Sequence, residues 1–266
     1  MHQHKVADLP AVLLQRVVVV FGALEEVRFG LSAPEFDRLS CDIDCIFHCR
    51  QMIRFATTGK LKGLYFLSSI GAVTNDMQGK DSKVLERTPL GSKNLARLNG
   101  YSQSKWVSEQ LVKQAGERGV PVVIFRTAFI SGCSTNGMSN EQDMICRLLR
   151  TMAELGIVPE HANSVHQWLD MSPVDWAAKA LVYACLRAQA SGDHGGMQVY
   201  HLLSPKHLVG LSQLVRALSS HHIEVSVVSM NEFVHRVRSH PSTPLAPLVD
   251  RFPGSFFGGG TRSQQL

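Results

Sequence analysis

Residues 101–128 read YSQSKWVSEQLVKQAGERGVPVVIFRTA. Over 101–118 the apolar positions Val107, Leu111, Val112 and Ala115 recur at helical intervals and share one face, and Gly119 stands where the helix should stop. The following stretch, 121–128, is apolar almost throughout, which suits a strand covered on both faces. A long amphipathic helix feeding a doubly covered strand is one half of a parallel crossover.

The same alternation extends in both directions. Strands are expected over 16–22, 44–49, 64–69, 198–203 and 224–228. Helices are expected over 34–40, 51–57, 141–155, 172–190 and 211–218. The helix at 172 has a particular start: Ser172 as N-cap, Pro173 at the first helical position, and Asp175 three residues after the cap. The order predicts an α/β fold, a doubly wound, Rossmann-like parallel sheet. Residues 1–200 are expected to carry it, with 201–266 as a smaller substrate-binding portion that is not an independent domain.

Composition narrows the classes. The chain has 266 residues, of which 44% are hydrophobic and 18% charged, an ordinary globular balance that argues against disorder. No apolar run reaches the ~18 residues of a membrane span, and the first residues lack a secretory pattern, so a cytoplasmic protein is expected. The net charge of +5 is dispersed, with no basic tract for nucleic acid. The six cysteines are too sparse for a disulfide scaffold. Cys41, Cys45, His48 and Cys49 lie close together, but their spacing is not that of a zinc knuckle, and buried thiols are favoured over a metal.

Tyr101 and Lys105 are four residues apart and therefore share a helical face. A neighbouring ammonium favours the phenolate and makes the phenol a better proton donor near neutrality. Such a pair suits protonation of the oxygen formed when a carbonyl accepts hydride. The apolar run 64–69 ends in Ser68-Ser69, and ligands of open α/β sheets lie beyond the carboxyl ends of strands. A hydroxyl there can bond a carbonyl oxygen as it gains negative charge. The strand 121–128 runs on through Phe129-Ile130-Ser131-Gly132 toward the same crevice.

With these motifs the chain resembles an extended short-chain dehydrogenase/reductase. More narrowly, it resembles the thioester reductase domains of nonribosomal peptide and polyketide synthetases, carboxylic acid reductases and α-aminoadipate reductases. The resemblance rests on Arg28-Phe29-Gly30-Leu31-Ser32, Phe47-His48, Leu67-Ser68-Ser69, the stretch from Asn99 to Trp106, Phe125-Arg126, Ile130-Ser131-Gly132, Thr135-Asn136-Gly137 with Asn140 and Asp143, and Ser172-Pro173-Val174-Asp175. It implies NADPH-dependent reduction of an acyl thioester to an aldehyde or alcohol. The acyl group would be carried on the phosphopantetheine of an acyl or peptidyl carrier protein. It also implies that Ser69 polarises the thioester carbonyl, Tyr101 donates the proton and Lys105 holds the ribose. Ser68 and Cys49 would lie along the cofactor with Tyr101 and Lys105, and Thr127, Ala128 and Ile130 against its nicotinamide half.

The sequence departs from that family in places. No G-x-x-G-x-x-G turn precedes 16–22, so the first glycine-rich βαβ unit is expected to be missing. Gly22-Ala23-Leu24 replaces an acidic Gly-Asp-Leu, and Cys49-Arg50 replaces a small Gly-Ala pair. These departures predict impaired activity and keep a non-catalytic remnant or interaction module in play. A sugar-nucleotide epimerase or dehydratase, which shares Tyr-x3-Lys, is a further alternative.

Overall fold

The computed structural model describes residues 18–23, 25–47, 52–73, 84–91, 95, 100–160, 168–190, 197–203 and 208–251. In chain order these form α1 (Ala33–Asp42), β1 (Cys45–Phe47), α2 (Met52–Thr57), β2 (Gly63–Ser69), α3 (Gly100–Glu117), β3 (Val122–Thr127), β4 (Phe129–Ser131), α4 (Met144–Leu155), β5 (Ile157–Pro159), β6 (Trp168–Pro173), α5 (Val174–Ala190), β7 (Gln198–Leu202), β8 (Leu208–Gly210), α6 (Leu211–Ser220), β9 (Ser226–Val228) and α7 (Met230–Ser239).

Side chains alternate across a strand, and that alternation builds the two faces of the main sheet. Strands β1, β2, β3 and β7 pair in parallel in that order. Leu64, Phe66, Val122 and Ile124 pack on one face against Phe36 of α1, Phe55 of α2, and Val112 and Ala115 of α3. Tyr65, Val123 and Phe125 pack on the other face with Cys185 of α5 and Leu202. Both faces of β3 are thereby covered, which is why its sequence is apolar without alternation. The result is the expected Rossmann-like parallel α/β arrangement, with no glycine-rich first βαβ unit among the described residues.

A second core joins Ile145, Leu148 and Met152 of α4 to Ile157 and Val158 of β5, Leu214 of α6, and Phe233 and Val237 of α7. Here β5 pairs in parallel with β9, while β4, β6 and β8 make a small mixed sheet. Side-chain caps open three of the helices. Ser32 accepts from Glu35 N–H before α1, Asp143 from Ile145 N–H before α4, and Ser229 from Glu232 N–H before α7. Among the described residues no helix is long and apolar enough to cross a membrane.

Four of the expected elements differ in the structure, and α7 was not among the expected helices. Residues 18–22 are not a strand: Val18 is 80% and Phe21 89% exposed, and no described strand pairs with them. A β-branched run without a partner forms no ladder. The chain instead closes a tight loop through Ala23 N–H to the Phe29 carbonyl at 2.8 Å. The helix expected from Ser172 starts at Val174, because Ser172 and Pro173 are extended and pair with Ile130 and Ser131. The strand through 121–132 breaks at Ala128, and its second part, β4, joins a different sheet. On α3 the buried positions are Ser102, Glu109, Val112 and Ala115, whereas Val107 is exposed.

Candidate active site

Three of the expected residues, Ser69, Tyr101 and Lys105, meet where the carboxyl end of β2 faces the first turns of α3. Ser69 is the last residue of β2, in register with Thr127 of β3. It caps the short 3-10 turn Ile70–Ala72, its Oγ accepting from Gly71 N–H at 3.2 Å. A Cβ at position 71 would lie 2.9 Å from Ser102 Oγ and 3.4 Å from Ser69 Oγ, so a glycine there lets α3 press against the turn. The Ser69 hydroxyl stands near the Tyr101 hydroxyl and favours its phenolate. Since Ser69 Oγ already accepts from the backbone, its own proton is available to the tyrosine oxygen. Lys105 Nζ donates to the Leu67 carbonyl at 2.9 Å and lies 5.7 Å from the centroid of the Tyr101 ring.

The electrostatics differ from the expectation. The Tyr101 side chain is 61% exposed, but its hydroxyl end is desolvated over the strand tips, and this raises the phenol above its usual value of 10.0. The neighbouring Ser69 hydroxyl pulls it down, and the carboxylate of Asp143, at the head of α4, pushes it up. Burial and Asp143 outweigh the stabilisation of phenolate expected from Lys105. The phenol is therefore held protonated at neutral pH.

The other expected residues are placed differently. Ser68 is 2% exposed and its hydroxyl donates to Glu109. Thr127 is also buried, and its hydroxyl donates to the Ser68 carbonyl at 3.3 Å. Ala128 is the half-buried link between β3 and β4, and Ile130 lies within β4, paired to β6. Cys49 lies outside the described residues, as does His48. Asp175 sits in the first turn of α5, as expected, and binds the loop after β4. Its carboxylate accepts from Ser134 N–H and Ser134 Oγ, both at 2.8 Å, and these bonds lower its pKa.

Sequence reasoning missed the groups beneath the tyrosine. Glu109 is fully buried and is gripped by Arg126, whose Nε lies 3.1 and 3.2 Å and whose second guanidinium nitrogen lies 2.9 Å from the carboxylate oxygens. An arginine inside an otherwise apolar strand was the available signal, since a buried charge requires a partner. The donor set of phenol, ammonium and serine hydroxyl at the strand tips fits the ribose and nicotinamide end of a dinucleotide. No described residues form a cradle for its phosphates.

A parallel sheet with a tip serine and a helical Tyr-x3-Lys facing it defines the short-chain dehydrogenase/reductase type of Rossmann fold. The chain matches the NAD-binding family described as "Male sterility protein" over residues 1–50 and 49–181, and it belongs to that family. It is homologous to the thioester reductase domains of peptide and polyketide synthetases and of aminoadipate reductases. It is 28% identical over 84% of its length to a linear gramicidin synthase of Brevibacillus parabrevis, and 28% identical over 88% to L-2-aminoadipate reductase of Saccharomyces cerevisiae. It spans only 5% and 20% of those proteins. Among solved structures, the terminal R domain from the myxalamid biosynthetic pathway superposes with a TM-score of 0.77 at 27% identity, covering 95% of this chain and 67% of that domain. The reductase domain of a nonribosomal peptide synthetase from Mycobacterium tuberculosis has the same fold, with a TM-score of 0.67 at 21% identity over 86% of this chain and 63% of its own.

Proposed function

We propose that this chain carries out the reductive release of an acyl group held as a thioester on the phosphopantetheine of an acyl or peptidyl carrier protein, with NADPH as cofactor. The observation that carries this reading is the meeting of Ser69 and Tyr101 at the tip of β2, with Lys105 one helical turn along the same face, bonded to the Leu67 carbonyl and 5.7 Å from the Tyr101 ring centroid. NADPH, when bound, supplies a hydride to the carbonyl carbon. Ser69 donates a hydrogen bond to the carbonyl oxygen, and Tyr101, held protonated, gives that oxygen its proton. Loss of the thiol from the resulting hemithioacetal leaves the aldehyde, and a second round would yield the alcohol. Lys105 would bind the ribose. Thr127, Ala128 and Ile130 would bound the nicotinamide. Residues 201–266 would complete the acyl side of the site.

The test is NADPH oxidation with an acyl-phosphopantetheine thioester, with the aldehyde product trapped. Tyr101→Phe is expected to abolish turnover and leave NADPH binding intact. NADPH binding without turnover on any thioester would refute the substrate class. One observation favours a second reading, a non-catalytic module: β1 is the last strand on its side of the sheet among the described residues, where the phosphates of a dinucleotide need a neighbour. Calorimetric titration separates the two, since micromolar NADPH affinity eliminates the module.

A further inference from the structure

Helix α3 presents three side chains, one turn apart on one face, to three successive residues of β2. Tyr101 meets the Ser69 hydroxyl, Lys105 the Leu67 carbonyl, and Glu109 the Ser68 hydroxyl. The third contact belongs to a larger clamp. Glu109 and Arg126 are 0% and 3% exposed, and the guanidinium holds both carboxylate oxygens. The remaining nitrogen of Arg126 donates to the Glu86 carbonyl at 3.3 Å, and the Glu86 carboxylate accepts from the backbone N–H of His201 on β7 at 2.8 Å. The clamp therefore ties the tips of β2, β3 and β7 to α3 and to the 84–91 segment.

A buried ion pair adds little net stability, because desolvation offsets its Coulombic gain and well-packed apolar side chains would serve as well. What it supplies is geometry: a forked, charge-assisted grip with a fixed direction. Its hydroxyl contact falls on the residue immediately before Ser69, so any slip at Ser68 is passed to Ser69 through a single peptide bond. We propose that Glu109 is a positioning residue for the Ser69–Tyr101 pair, acting through Ser68 and locked in place by Arg126. This rests on the reading of Ser69 and Tyr101 as the reacting pair. It extends the helical motif to Tyr101-x3-Lys105-x3-Glu109.

The test reads the Ser69–Tyr101 contact directly. Tyrosine ring carbons are labelled, the Tyr101 signal is assigned with Tyr101→Phe, and its titration is followed by NMR. The charged groups facing Tyr101 are Lys105 from its own helix and Asp143 from the head of α4, and both are kept in every variant. Ser69→Ala, which removes the hydroxyl that favours phenolate, sets the reference upward shift. Glu109→Gln and Ser68→Ala are expected to shift the midpoint upward as well. Val237→Ala, which destabilises the separate α4–α7 core, is expected to leave it in place. An unchanged midpoint in both clamp variants, or an equal shift in Val237→Ala, overturns the proposal. If Glu109→Gln does not fold, Ser68→Ala, which buries no unpaired charge, decides alone. In turnover, Glu109→Gln is expected to lower kcat by about 10- to 100-fold with an unchanged KM for NADPH. Absence of turnover in the unaltered chain would refute the catalytic reading, and the titration would still decide the clamp.

Discussion

Lys62 is fully buried just before β2, and replacing it with methionine gives a sharp test of how this end of the strand is held. Its Nζ donates to the carbonyls of Phe55, Thr58 and Lys60 at 3.0, 2.7 and 2.8 Å and lies 4.7 Å from the centroid of the Phe55 ring. These carbonyls lie at and just beyond the C-terminus of α2, where the last carbonyls of a helix lack N–H donors of their own and where positive charge is favoured. Methionine keeps the stem and removes the donor. The Phe55 carbonyl also accepts from Thr58 N–H at 3.2 Å, so it loses one of two hydrogen bonds and stays satisfied, at about 1 kcal/mol. The Thr58 and Lys60 contacts are only part-buried, and water replaces the lost donor there at about 1 kcal/mol or less for the two. Removing a desolvated ammonium returns part of this. A net loss of about 1 kcal/mol follows, or a fall in Tm of about 3 °C.

The dependence on pH is the stronger part of the prediction. Burial, the leading cause, lowers the Lys62 pKa from 10.5. Cys41 opposes that, and the charge of Lys60 adds to it. The folded state thus releases its proton before the unfolded state does. Between the folded value and 10.5 the unfolded chain binds more protons, so wild-type stability gains with rising pH from this group. Lys62→Met has no such gain. The stability gap measured by urea unfolding should therefore widen from neutrality toward pH 10.5. A gap that narrows with pH, or no loss at neutral pH, would refute the account of Lys62 as a desolvated plug.

Gly71→Ala places a Cβ 2.9 Å from Ser102 Oγ, a contact the serine can relieve only by moving. Turnover should fall by about 10-fold or more through displacement of Ser69, at a stability cost of about 1 kcal/mol, read by steady-state kinetics beside thermal melts. His201, whose Nε2 is buried without a partner among the described residues, has its pKa lowered from 6.5 by burial first and by Arg126 second, with Glu86 opposing. The unfolded chain therefore takes up the proton first as pH falls. Stability should decline from pH 6.5 down to the folded value, and His201→Gln should flatten that decline in urea titrations. The Cys185 thiol is pushed up to about 12 by burial and then by Cys45. At neutral pH, mass spectrometry should find thiol reagents on exposed Cys41 well before Cys185, which reacts only on unfolding.

The sheet was legible because its strands are short apolar runs punctuated by helices, and parallel strands covered on both faces read that way. The meeting of Ser69, Tyr101 and Lys105 was legible because strand ends and four-residue spacing place them without any tertiary knowledge. The inner face of α3 was not. Periodicity assigns a charged residue to solvent and a valine to the core, yet Glu109 is buried and Val107 exposed. The exchange depends on Arg126, which is distant in sequence and in contact only after the crossover closes. Lys62 was missed for the same reason, since burial of an ammonium depends on three carbonyls that no spacing rule places. The helix start at 172 misled because a serine before proline suits an extended residue as well as an N-cap. Here pairing with β4 selects the extended form. Helix α7 carried a readable signal in Ser229-x-x-Glu232, a capping pattern whose serine does accept from Glu232 N–H at 3.1 Å.

Strand β2 is held differently at its two ends, and the difference separates stability from chemistry. At its start, Lys62 ties the chain to α2, far along the strand from any reacting group, so loss of the plug should lower Tm and leave KM for NADPH unchanged in the folded fraction. At its end, Glu109, Lys105 and Tyr101 of α3 grip three consecutive residues, and the forces there fix the direction of one hydroxyl. An ion pair such as Glu109 with Arg126 is weakly justified by stability and well justified by orientation. The two ends therefore predict opposite signatures. A variant at 62 shifts the melt without shifting the Tyr101 titration, and a variant at 68 shifts the Tyr101 titration with little effect on the melt. Finding both signatures at one end would mean that β2 transmits strain along its length, and the clamp at its tip would then be part of the core and no longer a device of the site.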